Sequence, residues 1–318
     1  EPLKIFNPPV AYQAVNQQPS GSRFGANAIF NGENRNSNAM ISYLINTPEE
    51  KEEDTKEEKD KPAKDTLQLR IYTMDGKLIR TLREKTPEKN GLHRMYWRMD
   101  EAGARRPSRR ITKEDAQESG GVDVMPGQYK LVLSYGQHRD STSIEVKFDP
   151  RLEVNTADLK ARYDFLKSIE QMQATAYEAT QQILKAKQTA DRYSSWMKEK
   201  DKEAFKDQIK ASQAIKDSLE VILEPFVGED FSDKQGIIRT PVPDIGDRLS
   251  NAYYYTAASF DQPGDTQKRL KAQAEDALKP AIEAVNTFFA KDWKAYQDRI
   301  SNLDLSLFET YEVIELKD

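Results

Sequence analysis

The hydrophobic pattern of this chain changes period once, and that change limits its fold more than any other feature. Up to about residue 150, apolar residues alternate in short runs between turn signals. From about residue 156 they recur every three or four positions. Period two belongs to strands with one buried face, and period 3.6 to amphipathic helices. Strands followed by helices predict an α+β multidomain chain: an Ig-like β-sandwich, then an antiparallel bundle of about four helices. The switch falls at Phe148-Asp149-Pro150-Arg151. Proline cannot continue a central strand, and Asp-Pro favours a turn. Asn155-Thr156 then offers N-cap chemistry. At 318 residues the chain has room for two such units.

Residues 1–24 read as an extended strap with a short strand at most, punctuated by Pro8-Pro9 and Pro19-Ser20-Gly21. The sandwich is assigned to residues 25–150. Its strand candidates are 25–30, 39–45, 66–72, 78–82, 92–97, 130–135 and 143–148. Asn31-Gly32 and Asp75-Gly76 supply turns between neighbours. Residues 49–65 carry nine acidic and five basic side chains and almost nothing apolar. Such a block cannot offset its ordering entropy and is expected to be a disordered, solvated loop. It lacks the ligand spacing of an EF-hand. Residues 101–125 form an insertion crowded by Arg105, Arg106, Arg109 and Arg110. It reads as a solvated loop whose arginines pair with Glu114, Asp115 and Glu118; a phosphate or nucleic-acid patch is the sharper alternative.

Residues 151–318 are assigned to the bundle. Leu159, Tyr163, Leu166, Ile169, Met172, Ala176, Thr180 and Ile183 mark one face of a long first helix. A second helix runs from about 202 to 224, ended or bent by Pro225. Ile245, Leu249, Ala252, Tyr253 and Thr256 mark a third. A very long fourth extends from Leu270 to Ile300, with a bend expected at Pro280. A strand-like end at 312–316 closes the sequence.

The chemistry on offer is narrow. There is no cysteine, which removes disulfides, thiol nucleophiles and Cys-ligated metals. The two histidines, His93 and His138, read as a strand and a turn residue, and both are expected to be structural or simply exposed. Neither follows residue 138, so a di-iron bundle with Glu-x-x-His motifs fails. No cofactor is expected. A net charge of −5 gives no broad basic field for nucleic acid. No run approaches the roughly 18 apolar residues of a membrane span. Glu1 opens the chain without Met or an apolar leader, which reads as a processed or excised chain. The run Tyr253-Tyr254-Tyr255 could stack on a sugar, but core packing is the expected role. No Gly-rich phosphate loop or nucleophile elbow is present, and no catalytic residue is assigned.

The stretch from Leu69 to Leu82, with Asp75-Gly76 at its turn, resembles the opening of the Ig-like domain of flagellar hook-capping proteins. Gly91, Trp97, Asp100, Gly103 and Pro126-Gly127-Gln128-Tyr129 follow in the order of that pattern. The long insertion before Pro126 departs from it. Asp75, Gly76, Trp97, Asp100, Gly127 and Tyr129 are the structural markers that this resemblance picks out. The whole chain resembles the C-terminal region of exported bacterial proteins with a sortilin-like β-propeller, often described as glycosyl hydrolases. The motifs carrying this likeness are Pro8-Pro9-Val10-Ala11-Tyr12-Gln13-Ala14-Val15 and Pro19-Ser20-Gly21-Ser22-Arg23-Phe24-Gly25-Ala26-Asn27-Ala28. The resemblance implies a secreted, periplasmic or cell-surface location and a non-catalytic structural or interaction region. Its partner would be a β-propeller of the same or a companion chain, contacted through Tyr12, Phe24 and Phe30. The alternatives are a glycoside hydrolase, or an accessory module that binds polysaccharide.

Overall fold

The computed structural model of the chain describes residues 1–14, 36–46, 66–113, 115–230 and 242–303. The expected strands at 25–30 and 312–316 and the charged block at 49–65 lie outside these residues. The fold is mixed α+β. It divides into two compact units: Glu1–Arg105 with Lys113–Gln171 and Tyr253–Gln267, and Arg106–Thr112 with Met172–Ala252 and Lys268–Asp318.

The first unit carries the strands: β1 (Leu3–Ile5), β2 (Ala11–Gln13), β3 (Ala39–Ile45), β4 (Thr66–Thr73), β5 (Leu78–Lys85), β6 (Gly91–Trp97), β7 (Asp100–Gly103), β8 (Ser119–Asp123), β9 (Gly127–Tyr135) and β10 (His138–Phe148). Three form a sheet in the order β1-β3-β6, five form a sheet in the order β2-β10-β9-β4-β5, and β7-β8 is a separate ribbon. β2 runs parallel to β10, with Ala11 opposite Val146, while the other pairings are antiparallel. Alternation decides the inward set. Ile41, Tyr43 and Ile45 of β3 join Leu67, Leu69 and Ile71 of β4 in one hydrophobic core, with Met95 and Trp97 of β6 and Leu131 and Leu133 of β9. Each aliphatic side chain so buried stabilises the fold by roughly 1.5–3 kcal/mol. The β4–β5 turn closes as its sequence predicts. Gly76 adopts φ +92°, a conformation that favours glycine, and its N–H donates to the Thr73 carbonyl at 3.0 Å.

The stretch expected to be a strap holds two short strands, β1 and β2. Leu3 and Ile5 are buried, two residues apart on one face. The insertion at 101–125 is not simply a solvated loop, because β7 and β8 pair across it. Arg105 donates to the carbonyls of Ala116 (3.0 Å) and Gln117 (2.5 Å), and to no carboxylate among the described residues. Arg109 pairs with Glu220 of the second unit, to which residues 106–112 belong, and also donates to the Gly228 carbonyl.

Among the described residues five α-helices follow: α1 (Thr156–Asp201), α2 (Lys206–Val227), α3 (Ile245–Ala257), α4 (Asp265–Phe288) and α5 (Lys294–Ser301), the last two joined by a π-helical turn at Phe289–Trp293. Residues 156–171 of α1 belong to the first unit. Asn155 caps α1 as expected, its Oδ1 accepting the Ala157 N–H at 2.8 Å. Asp244 does the same for α3, accepting the Asp247 N–H at 2.7 Å.

The second helix does not end at Pro225. Pro225 lies inside α2, which continues to Val227 before Gly228 ends it at φ +71°. Proline there removes one hydrogen bond, that to the carbonyl of Val221, an exposed residue. Pro280 lies inside α4, which continues to Phe288, and a π turn follows from Phe289. In the second unit Ala190, Met197, Tyr296 and Ile300 form a buried cluster, against which Trp196, Phe205, Ile209, Ile215, Trp293 and Leu303 pack.

Candidate functional site

Of the three aromatic residues expected to contact a partner, Phe24 and Phe30 lie outside the described residues. Tyr12 sits on β2, the edge strand of the five-stranded sheet among the described residues. Its neighbour Ala11 turns into the core, so Tyr12 faces outward and is 39% exposed. A cavity of about 310 Å³ opens beside it, lined by Pro9, Tyr12, Asn36, Met40, Pro150 and Arg151 among others. Phe6, 38% exposed, is a further large apolar side chain of the same N-terminal segment.

The marker residues divide into a turn and a core cluster. Asp75 stands in the β4–β5 turn, and a hydrogen bond from Thr73 holds its carboxyl below the usual range. Trp97 is fully buried and its indole N–H donates to the Asp100 carbonyl at 2.9 Å. The Tyr129 ring meets it edge-on at 5.6 Å and 72°. The Tyr129 hydroxyl donates to the Met125 carbonyl at 2.5 Å, two residues before Gly127 opens β9. Burial, and then the charge of Glu101, push that phenol up to about 12.

Beside this cluster lies an ionic network that the periodicity did not single out. The Lys167 ammonium is 3.1 Å from Glu101 Oε2 and 2.6 Å from Glu170 Oε2. The other oxygen of Glu101 accepts the Tyr163 hydroxyl, and that of Glu170 accepts the Val122 N–H at 2.9 Å. Burial and then the Glu101 hydrogen bond push the Tyr163 phenol well above its ordinary value. Arg80, buried with Asp100, donates to the carbonyls of Glu101 and Ser119. Asp100 Oδ2 finds no partner among the described residues, and burial raises the pKa of this carboxyl against the opposing charges of Arg80 and Arg98. The one sequence signal was Lys167 and Glu170 flanking Ile169 on the apolar face of α1.

A second cavity of this unit, about 270 Å³, is lined by Arg98, Asp123, Phe148, Arg162, Tyr163 and Phe260 among others. The Arg162 guanidinium lies 5.4 Å from the Phe260 ring centre and donates to the Ala257 carbonyl at 2.9 Å. Asp123 opens to the cavity, yet protein around it removes enough water to raise its carboxyl pKa.

The tyrosine run behaves differently from the core packing expected of it. Only Tyr253 is half-buried; Tyr254 and Tyr255 are 68% and 51% exposed. Consecutive helical side chains diverge around the axis, so one apolar face cannot take all three. In the second unit a groove of about 810 Å³ is lined mainly by Arg192, Tyr193, Trp196, Trp293, Tyr296 and Gln297. Among the described residues no group of three or more metal-ligating side chains is assembled, and no helix is long and apolar enough to cross a membrane. Comparison with known proteins returns no matching family model, curated protein or solved structure.

Proposed function

We propose that this chain is a non-catalytic structural and interaction region of an exported protein, an Ig-like sandwich followed by a helical bundle that docks against a β-propeller. The observation that carries this reading is the edge strand β2 with Tyr12 turned outward beside a cavity. An edge strand offers unpaired backbone groups, and an amphipathic tyrosine at such an edge suits a protein partner. The resemblance of the Pro8–Val15 and Pro19–Ala28 motifs to exported propeller proteins supports the identity of the partner and the exported location. The sandwich is supported by the single core that both sheets fill and by Trp97 and Tyr129 within it.

The chemistry also favours a non-catalytic role. Hydrolysis of a glycosidic bond by two carboxylates needs them roughly 5–9.5 Å apart around open space. The carboxylates of Glu101 and Glu170 are each bonded to Lys167 and to a second donor. Asp123 is the one carboxylate among the described residues lining the 270 Å³ cavity.

The test is an immunoblot of exported fractions with an antibody against this chain, with and without crosslinking. A band far heavier than 36.4 kDa, or a crosslinked companion lost in Tyr12→Ala, is the expected result. An uncrosslinkable band at the mass of the chain itself overturns the proposal.

A further inference from the structure

We infer that the aromatic groove of the second unit binds a short oligosaccharide. This is independent of the docking proposal, which concerns the other unit. The groove measures about 810 Å³, within the range of roughly 300–1,000 Å³ typical of small-molecule sites. One wall is the face of α1 that carries Arg192, Tyr193 and Trp196. The other begins in the π turn with Trp293 and continues through Tyr296 and Gln297 of α5. A π turn inserts a residue into the helix and re-aims the side chains after it, and such turns concentrate at functional sites.

The rings are braced by one another and by neighbouring side chains, among them Lys200, whose ammonium lies 4.8 Å from the Trp196 ring centre. Phe289 meets Trp293 edge-on at 6.0 Å, and Trp293 and Tyr296 lie 5.4 Å apart with planes inclined at 39°. The Tyr296 hydroxyl is 2.9 Å from that of Ser212, and Phe205 lies 6.1 Å from Trp196. Such prior fixing lowers the entropy lost on binding.

The lining is mixed in a way that selects the ligand. Aromatic side chains stand next to hydrogen-bonding ones along both walls: Tyr193 beside Arg192, and Tyr296 beside Gln297. A pyranose ring has the same two characters, an apolar C–H face that suits the electron-rich face of an aromatic ring and an edge of hydroxyls. A guanidinium and an amide supply donors and an acceptor for that edge. A partner helix would instead want a continuous apolar strip, which Arg192, Gln297 and Ser301 interrupt.

Tryptophan emission reports directly on the site. Trp196 and Trp293 line the groove, while Trp97 is fully buried in the first unit. The whole chain is titrated with cellohexaose, chitohexaose and hexagalacturonate, each to about 10 mM, with calorimetry in parallel. The expected result is a saturable change in emission and heat with at least one of the three. Trp293→Ala weakens it about tenfold or more, as do Arg192→Ala and Gln297→Ala at exposed positions that cannot disturb the core, while Tyr254→Ala has no effect. The inference is overturned if none of the three binds. It is also overturned if binding survives the groove variants, or if it occurs only in a chain cut after Leu303, which would assign the groove to the chain's own last residues.

Discussion

Replacing Lys167 by methionine tests whether the ionic network holds the first unit together. The change keeps the aliphatic stem and removes the ammonium shared by Glu101 and Glu170. The three side chains are 29%, 12% and 7% exposed. Removing one partner of a buried ion pair costs roughly 3–5 kcal/mol, because the remaining charge is left without its counter-charge. The ammonium is partly exposed, and each carboxylate keeps one other donor, Tyr163 or the Val122 N–H, so the lower end applies: about 3 kcal/mol. In urea unfolding at pH 7 the midpoint should fall at unchanged slope. The pH dependence follows with a definite sign. Burial by itself would lower the Lys167 pKa, but the hydrogen bonds and charges of Glu170 and Glu101 outweigh it and raise the value above 10.5. Stability from a raised lysine is fully present below its unfolded pKa and is lost as pH rises through the folded one. The gap between wild type and Lys167→Met should therefore stay wide at neutral pH and narrow above pH 10.5. A variant within about 0.5 kcal/mol of wild type at pH 7, or a gap independent of pH, would refute the reasoning.

Two further outcomes are expected. Gly121→Ala would put a Cβ 2.7 Å from Glu170 Oε1 and 2.7 Å from the Gly103 Cα, and the backbone there cannot yield as a side chain could. Overpacking and a disturbed Val122–Glu170 bond should together cost about 3 kcal/mol, against about 1 kcal/mol for Gly136→Ala, which meets open space but strains φ at +54°; equal losses in thermal unfolding would contradict this. Arg109→Ala releases the segment 106–112 from Glu220 and Gly228 and should raise its rate of limited proteolysis severalfold, at a cost of only about 1 kcal/mol; an unchanged cleavage pattern would show that Arg109 does not hold the segment.

The elements legible in the sequence are those whose reasons are local. The alternation Leu67, Leu69, Ile71 needs only its own strand to declare a buried face, and it is β4. Asp75-Gly76 needs only its own backbone to declare a turn, and Asn155 only the N–H groups just after it. The helical faces were legible for the same reason: Leu166, Ile169, Ala176, Thr180 and Ile183 are all buried on α1. Pro225 misled as a helix end because a proline's local penalty is fixed while the support around it is not. One lost hydrogen bond does not end a helix that packing holds on both sides, as α2 shows at Pro225 between buried Leu223 and Phe226.

The features that escaped the sequence depend on complementarity across long separations. Ser119-Gly120-Gly121 has weak strand propensity and reads as loop. It becomes a strand because Gly103 and Gly121 let two backbones approach to a distance that any side chain would prevent. The same closeness leaves room for Glu170, 48 residues beyond Val122, to reach the Val122 N–H. A buried glutamate within α1 makes sense only once that amide and Lys167 stand beside it, and neither alone would compensate for its lost hydration. The aromatic groove is similar. Tyr193 and Trp196 on α1 could be read as one more helical stripe; what makes them a wall is Trp293, almost a hundred residues later, turned by a π segment that has no signature of its own. Function in this chain is therefore sought where pairs of distant segments leave aromatic and hydrogen-bonding groups open, since the charged groups around Lys167 are already bonded to one another.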